Sequence, residues 1–366
     1  MRKTLIYLFL LLLAGFGVYH FIYKDKGSVF SDKEDGFTVK DTADIGKLFL
    51  ADMQHNTILL ERTDSGWYVN KHYKALQSTL NALLITLRTQ GALYPATEKA
   101  HDNVIKEMSG SSVKIEIYNR KGEKIKSFYV GGPVPGNNGS YMLMDNGAQN
   151  PYVVNVPAFT GYITPRYTTS IKDWRDRSIF QIAQEDIKSV TIDYPEHPLN
   201  SFTLKQEGNK VTVETEKEIM AHNAFNERRA SVYTKFFSNI NCEGYMNGLE
   251  GLDSSIRTTQ KFCSIDVVDK KNTHVHTEVF WMPVNRRSKN LLSSDRYVPD
   301  KYDPDHYYAI INNNQDTVLI QNNVFEPIFR TGAEFYSPDD TTKAIRKHPM
   351  IGPSPNVKSK KTPLTK

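Results

Sequence analysis

Ile187 to Val213 reads IKSVTIDYPEHPLNSFTLKQEGNKVTV, and Ile45 to Val69 reads IGKLFLADMQHNTILLERTDSGWYV. The second stretch predicts strands at Lys47–Leu50 and Thr57–Glu61 around a turn at Gln54-His55-Asn56. Asp64-Ser65-Gly66 is a tight turn, and Trp67-Tyr68-Val69 returns from it. The first stretch repeats that order. Strands are expected at Ile187–Asp193, Ser201–Leu204 and Lys210–Val213, with Glu207-Gly208-Asn209 as the tight turn.

Outward from this pair the order persists. Tyr73–Arg88 places Leu76, Leu80, Leu83, Leu84 and Leu87 at spacings of three and four, the stripe of an amphipathic helix ended by Gly91. Asn223–Ile240 is its counterpart, with Val232, Phe236, Phe237 and Ile240 as the stripe. Val113–Tyr118 alternates and pairs with Lys124–Val130 through Lys121-Gly122, and Phe262–Val268 pairs with His274–Trp281. Tyr141–Met144 and Tyr152–Val156 close the first copy around Asn146-Gly147, as Tyr307–Ile311 and Thr317–Gln321 close the second. The offset grows from 142 at Ile45/Ile187 to 166 at Tyr141/Tyr307. Most of that growth falls in Pro283–His306, where the first copy has the Gly/Pro/Asn loop Gly131–Gly139. Repeated order with drifting spacing is the mark of duplicated modules with variable loops. The expected fold class is α+β: two tandem copies of a mostly antiparallel sheet with one covering helix, spanning 37–167 and 183–331. Residues 168–182 are read as a linker, with Trp174 packing inward.

The 366 residues are 39% apolar and 11% aromatic, enough for two cores of ordinary size and too apolar for global disorder. The net charge of +5 is misleading, because the tail from Lys343 onward holds seven Lys/Arg and no acid, leaving −2 for the rest. No nucleic-acid footprint follows from that balance. Residues 332–366 are read as a disordered basic tail. Residues 1–4 form a short positive start, and Leu5–Tyr23 carries no Asp, Glu, Lys or Arg, about the length that crosses ~30 Å of hydrocarbon. Tyr19, Phe21 and Tyr23 gather at its far end, as interfacial anchors do. The reading is an uncleaved single transmembrane helix over 5–23 and a polar stalk over 24–36, with the N-terminus cytoplasmic and the body extracytoplasmic. Cys242 and Cys263 leave two options open, one disulfide or two buried thiols.

A wider set of residues carries a resemblance. The anchor precedes Phe37-x-Val39-x-Asp41, Asp44-Ile45-x-Lys47-Leu48, Trp67-x-Val69-Asn70 and the Leu-rich helix. Tyr129-Val130-Gly131-Gly132, Tyr141-Met142, Tyr152-Val153-Val154 and Trp174-Arg175-Asp176 follow. This pattern resembles the bacterial domain-of-unknown-function family numbered 4340, covering roughly residues 35 to 180 well and the second module weakly. The resemblance implies a cell-envelope protein anchored once, often encoded beside gliding-motility-type ABC transporter components. It implies no catalytic residue.

Among local constellations, His274-x-His276-x-Glu278 lies on one face of a strand and has the residue types of part of a divalent-metal site. The alternate residues Val275, Thr277 and Val279 would face the core, so the plainer reading is the wet face of a strand. Overlaying the copies puts Lys124, Lys126 and Phe128 at the matching positions. Tyr302-Asp303-Pro304-Asp305-His306 gathers oxygen and imidazole groups but lacks the Gly and terminal Glu of an EF-hand, and reads as a proline-stiffened turn. Gly131-Gly132-Pro133-Val134-Pro135-Gly136 has no Gly-Lys-Ser/Thr and is no phosphate loop. No Gly-x-Ser-x-Gly occurs. The enlarged Pro283–His306 loop, with Arg286, Arg287, Lys289 and Arg296, is the candidate partner-binding element. The functional expectation is a non-enzymatic binding or scaffold protein without a cofactor, whose partners are the membrane and, by resemblance, ABC-type transporter subunits. An envelope-glycan binder and a metal-dependent enzyme using the second module stand as alternatives.

Overall fold

The structure is a computed structural model and describes residues 36–336 except 209, 287, 289–300 and 314. The expected cytoplasmic start, the transmembrane segment, nearly all of the stalk and residues 337–366 lie outside the described residues. No described helix is long and apolar enough to cross a membrane. The chain divides into two compact units after Asp176.

The first unit holds β1 (Ile45–Asp52), β2 (Thr57–Thr63), β3 (Gly66–Val69), β4 (Tyr73–Lys74), helix α1 (Gln77–Thr89), β5 (Gly91–Pro95), helix α2 (Glu98–Ser111), β6 (Val113–Asn119), β7 (Lys124–Pro133), β8 (Ser140–Met144), β9 (Tyr152–Asn155) and the short α3 (Ile171–Trp174). Its nine strands form one antiparallel sheet in the order β4-β3-β2-β1-β6-β7-β8-β9-β5. Alternation sets the core face: Leu48 and Leu50 on β1, Ile58 and Leu60 on β2, and Ile115 and Ile117 on β6 are all sealed from solvent. α1 closes that face with Leu80, Leu83 and Leu87, each fully buried. Burial of each leucine stabilises by about 1.5–3 kcal/mol.

The second unit holds β10 (Ser178–Phe180), β11 (Ile187–Asp193), β12 (Phe202–Glu207), β13 (Lys210–Glu214), α4 (Lys217–His222), α5 (Glu227–Thr234), β14 (Ile240–Asn241), β15 (Gly244–Tyr245), α6 (Leu252–Thr258), β16 (Lys261–Asp269), β17 (His274–Pro283), β18 (Tyr302–Ile311), β19 (Asp316–Gln321) and α7 (Asn322–Phe325). Its large sheet runs β13-β12-β11-β16-β17-β18-β19-β15. That is the first order strand for strand, lacking only β4. The correspondence reaches irregularities. The β1–β6 ladder shifts between Ile45 and Lys47, and the β11–β16 ladder shifts between Ile187 and Ser189. Both central hairpins turn on a side-chain oxygen that accepts two backbone N–H groups. Asn119 Oδ1 takes those of Lys121 and Glu123, and Asp269 Oδ1 takes those of Lys271 and Thr273.

Several expectations are corrected. Each module carries more than one helix, and its sheet is not covered on one face alone. α2 packs on the face opposite α1, where Met108 closes over Gly131; a Cβ on Gly131 would stand 2.8 Å from Met108 Cγ. α6 does the same in the second unit, where Ile256 packs with Phe280 and Ile310, whose strand neighbours face the main core. The helix expected over Asn223–Ile240 is α5 followed by a 3₁₀ turn at Lys235–Ser238, and Ile240 is already strand. Val232 is 43% exposed, and Ala230, Tyr233 and Phe237 form the buried stripe instead. No glycine cap ends α1: Gln90 is extended, and the chain passes directly into β5.

The segment 168–182 is not a free linker. Trp174 is fully buried in the first core and Phe180 in the second. The second core continues past residue 331. Gly332–Tyr336 forms a 3₁₀ turn with Phe335 buried, and the Tyr336 hydroxyl donates to the Val213 carbonyl at 2.6 Å.

Candidate functional site

The largest difference between the copies is at the connection after the central hairpin. Pro133 pairs with Ser140 in the first unit, whereas Pro283 pairs with Tyr302 in the second. The root of this longer connection is built around polar side chains that are mostly buried. His306 Nε2 lies 3.2 Å from Glu243 Oε2, and Nδ1 lies 3.2 Å from Asp303 Oδ1. The His306 side chain is 13% exposed and that of Asp303 only 3%, so their contact acts largely without solvent screening, whereas the Glu243 side chain is 35% exposed. Asp303 Oδ1 also accepts the backbone N–H groups of Asp305 and His306 at 2.9 and 3.0 Å. Asn285 donates from Nδ2 to Asp303 Oδ2, and the Val284 N–H reaches the Lys301 carbonyl at 3.1 Å. Asp303 therefore ties the outgoing chain to the returning chain. Ser288 and Asn285 lock the exit with two reciprocal hydrogen bonds. Trp281 stacks on Tyr302 at 4.9 Å and 9°, and the Tyr302 hydroxyl donates to Gln260 Oε1.

The arrangement has a chemical limit. Both nitrogens of His306 face carboxylates, so neither is left to take a proton from a nucleophile. The group is suited to holding a loop root. The stretch Tyr302–His306 stands out in the sequence, but it is the bulged start of β18 rather than a separate turn. Glu243 carries no linear signal, because the fold brings it from the link between β14 and β15.

His274, His276 and Glu278 lie on β17 as expected, but each is committed elsewhere or exposed. His276 Nδ1 meets Asp266 Oδ1 at 2.8 Å, Glu278 pairs with Lys261, and His274 is exposed. Among the described residues, no group of three or more His, Cys, Asp or Glu is placed to hold a metal ion. Their counterparts also need correction. The β6–β7 ladder is irregular between Ile117 and Tyr118, where β7 carries Ile125 as an extra residue. Past it, Phe128 opposes Ile115 as Thr277 opposes Ile265. Ser127 and Tyr129 thus match His276 and Glu278, because a one-residue slip exchanges the two faces.

That face of the first unit holds a different network. Lys114 Nζ stands 2.7 Å from Asp145 Oδ2 and 3.6 Å from Glu116 Oε1, and the Tyr118 hydroxyl donates to Glu116 at 2.6 Å. The Tyr118 hydrogen bond, opposed by burial and aided by Lys124 and Lys114, holds the Glu116 carboxyl below its usual range. Burial works to raise Asp145, but hydrogen bonds from Lys114 and Ser127 outweigh it and lower the carboxyl.

Of the candidate partner-binding residues, Arg286 is exposed at the loop root, while Arg287, Lys289 and Arg296 lie outside the described residues. Cys242 and Cys263 are separate buried thiols, and burial pushes the Cys263 thiol well up.

No curated protein and no solved structure matches the chain. A family profile described as domain of unknown function (DUF4340) matches residues 67–255. The match runs from β3 of the first unit to α6 of the second, so it starts later and reaches further than the 35–180 span of the sequence resemblance. It covers more than half of the chain, and the chain belongs to that family of domains of unknown function.

Proposed function

We propose that the chain is a membrane-anchored extracytoplasmic binding or scaffold protein and an accessory part of an ABC-type transporter complex. The observation that carries this reading is a scaffold kept twice with different surfaces on it. Strand order and the bulge of the β1–β6 and β11–β16 ladders repeat, while the side chains on the outer face and the connection after the central hairpin differ. Each copy supplies a recognition surface of its own without requiring covalent chemistry. The stapled root at Asp303 fixes where the enlarged loop leaves the sheet, and Arg286, Arg287, Lys289 and Arg296 give it the charge to meet an anionic partner surface.

The test is mild cross-linking in native membranes followed by purification and identification of what is bound. Recovery of transporter subunits in fixed ratio is the expected outcome. Recovery of the lone monomer under conditions that cross-link known membrane complexes would overturn the proposal.

A further inference from the structure

We propose that the edge of the first unit formed by β5 rests on the surface of the bilayer, taking lipid headgroups and the outer acyl region as its occupant. The inference rests on the anchor reading of residues 5–23. Seven large apolar side chains of the first unit are exposed among the described residues, and five of them are Ile85, Leu93, Tyr94, Phe159 and Tyr162. They lie on neighbouring segments. Leu93 and Tyr94 sit on β5, which ends the sheet and, among the described residues, pairs only with β9. Ile85 belongs to the last turns of α1, immediately before β5. Phe159 and Tyr162 follow β9, beyond its pairing of Asn155 with Gly91. Arg166 joins these segments, donating to Thr86 Oγ1 while its guanidinium covers the Phe159 ring at 4.5 Å.

Edge strands are ordinarily blunted by charge, and β5 instead exposes Leu93 at 44% and Tyr94 at 53%. Tyrosine and phenylalanine beside arginine are the composition of a headgroup-level contact. Arg88, in the last turn of α1, adds an exposed cation beside the half-buried Arg166. The path of the chain supplies the occupant. Lys126 Nζ donates to the carbonyls of Gly36 and Thr38. Gln90 Nε2 donates to the Phe37 carbonyl at 2.9 Å, and Thr38 Oγ1 donates to the Gln90 carbonyl at 2.7 Å. The chain thus enters the unit against Gln90, the residue directly before β5. Only residues 24–35 separate this point from the apolar segment, a tether of at most roughly 40 Å.

The full chain is reconstituted into vesicles containing anionic lipid, with a fluorophore on Tyr94→Cys, Tyr162→Cys or Met53→Cys. Cys242 and Cys263 are buried and do not compete for label. Met53 is the control: it is exposed at the β1–β2 turn, and β6, β7, β8 and β9 lie between β1 and β5. The expected result is blue-shifted emission at positions 94 and 162 that bromine-bearing lipids quench, with position 53 unaffected. Water-like emission at all three positions, in protein that still floats with the vesicles after carbonate washing, overturns the surface contact and leaves the anchor standing. Loss of flotation overturns both. A blue shift at position 94 without quenching by lipid would assign the edge to a strand-adding protein and also overturn the proposal.

Discussion

Thr277 occupies the place that Phe128 holds in the first copy, and its hydroxyl is buried without a hydrogen-bond partner among the described residues. Thr277→Val keeps the shape and removes the cost of an unpaired group. Denaturant titration should show a gain of about 1 kcal/mol. Asp303→Ala should act in the opposite sense by about 3 kcal/mol in the same assay, because it strips His306 of one buried partner and orphans two backbone N–H groups. The acids of the first unit give a pH signature. Glu116 and Asp145 are lowered in the folded state, so their contribution is present above the ordinary carboxylate range. It is lost as pH falls through the lowered values. Lys114→Met, measured by urea midpoint at neutral and acid pH, should flatten that dependence. At this scale the sequence reads poorly. Alternation correctly places His276 and Glu278 on the wet face, yet nothing in the spacing reveals Ile125 as the extra residue that shifts their counterparts to Ser127 and Tyr129. Glu243 reaches His306 only through the fold.

Strong periodicity predicts elements well. Of the five leucines in the expected stripe, Leu80, Leu83 and Leu87 of α1 are buried, Leu84 is half-buried and Leu76 is the N-cap, and Leu83→Ala should cost about 2–5 kcal/mol by thermal or chemical unfolding. α2 escapes notice because only Val104 and Met108 of its fourteen residues are buried, too narrow a stripe to stand out. The second-copy helix is misread for the converse reason: Val232 fits the spacing by chance. Val232→Lys should change stability by no more than about 0.5 kcal/mol. Short strands such as β5 and β15 have no periodicity to read and exist because a neighbouring strand offers them an edge. The closing 3₁₀ turn lies in the stretch read as tail. A chain ended at Thr331 should lose cooperative unfolding of the second unit relative to one ended at Tyr336, since Phe335 and the Tyr336 hydroxyl bond go with the removed residues.

Over the whole molecule, the repeat is what the sequence reveals best. The match of Ile187–Val213 with Ile45–Val69 extends to eight strands in the same order, and both copies place a bulge in the equivalent ladder, β1–β6 in the first and β11–β16 in the second. Duplication preserves the backbone problem, covering the main core face of a sheet, and leaves the loops and the uncovered part of the outer face free to diverge. The enlarged connection of the second copy is where that freedom is greatest, and it is the element to which the proposed partner role is assigned. The deciding measurement compares wild type with a variant in which Arg286, Arg287, Lys289 and Arg296 are all replaced by Glu. Both are cross-linked in native membranes and purified under identical conditions. The wild-type chain should bring down transporter subunits in fixed ratio, and the variant should lose at least tenfold of that recovery, about 1.4 kcal/mol of binding. Equal recovery from both would remove the loop from the interface, and recovery of no partner by the wild-type chain would contradict the binding role itself.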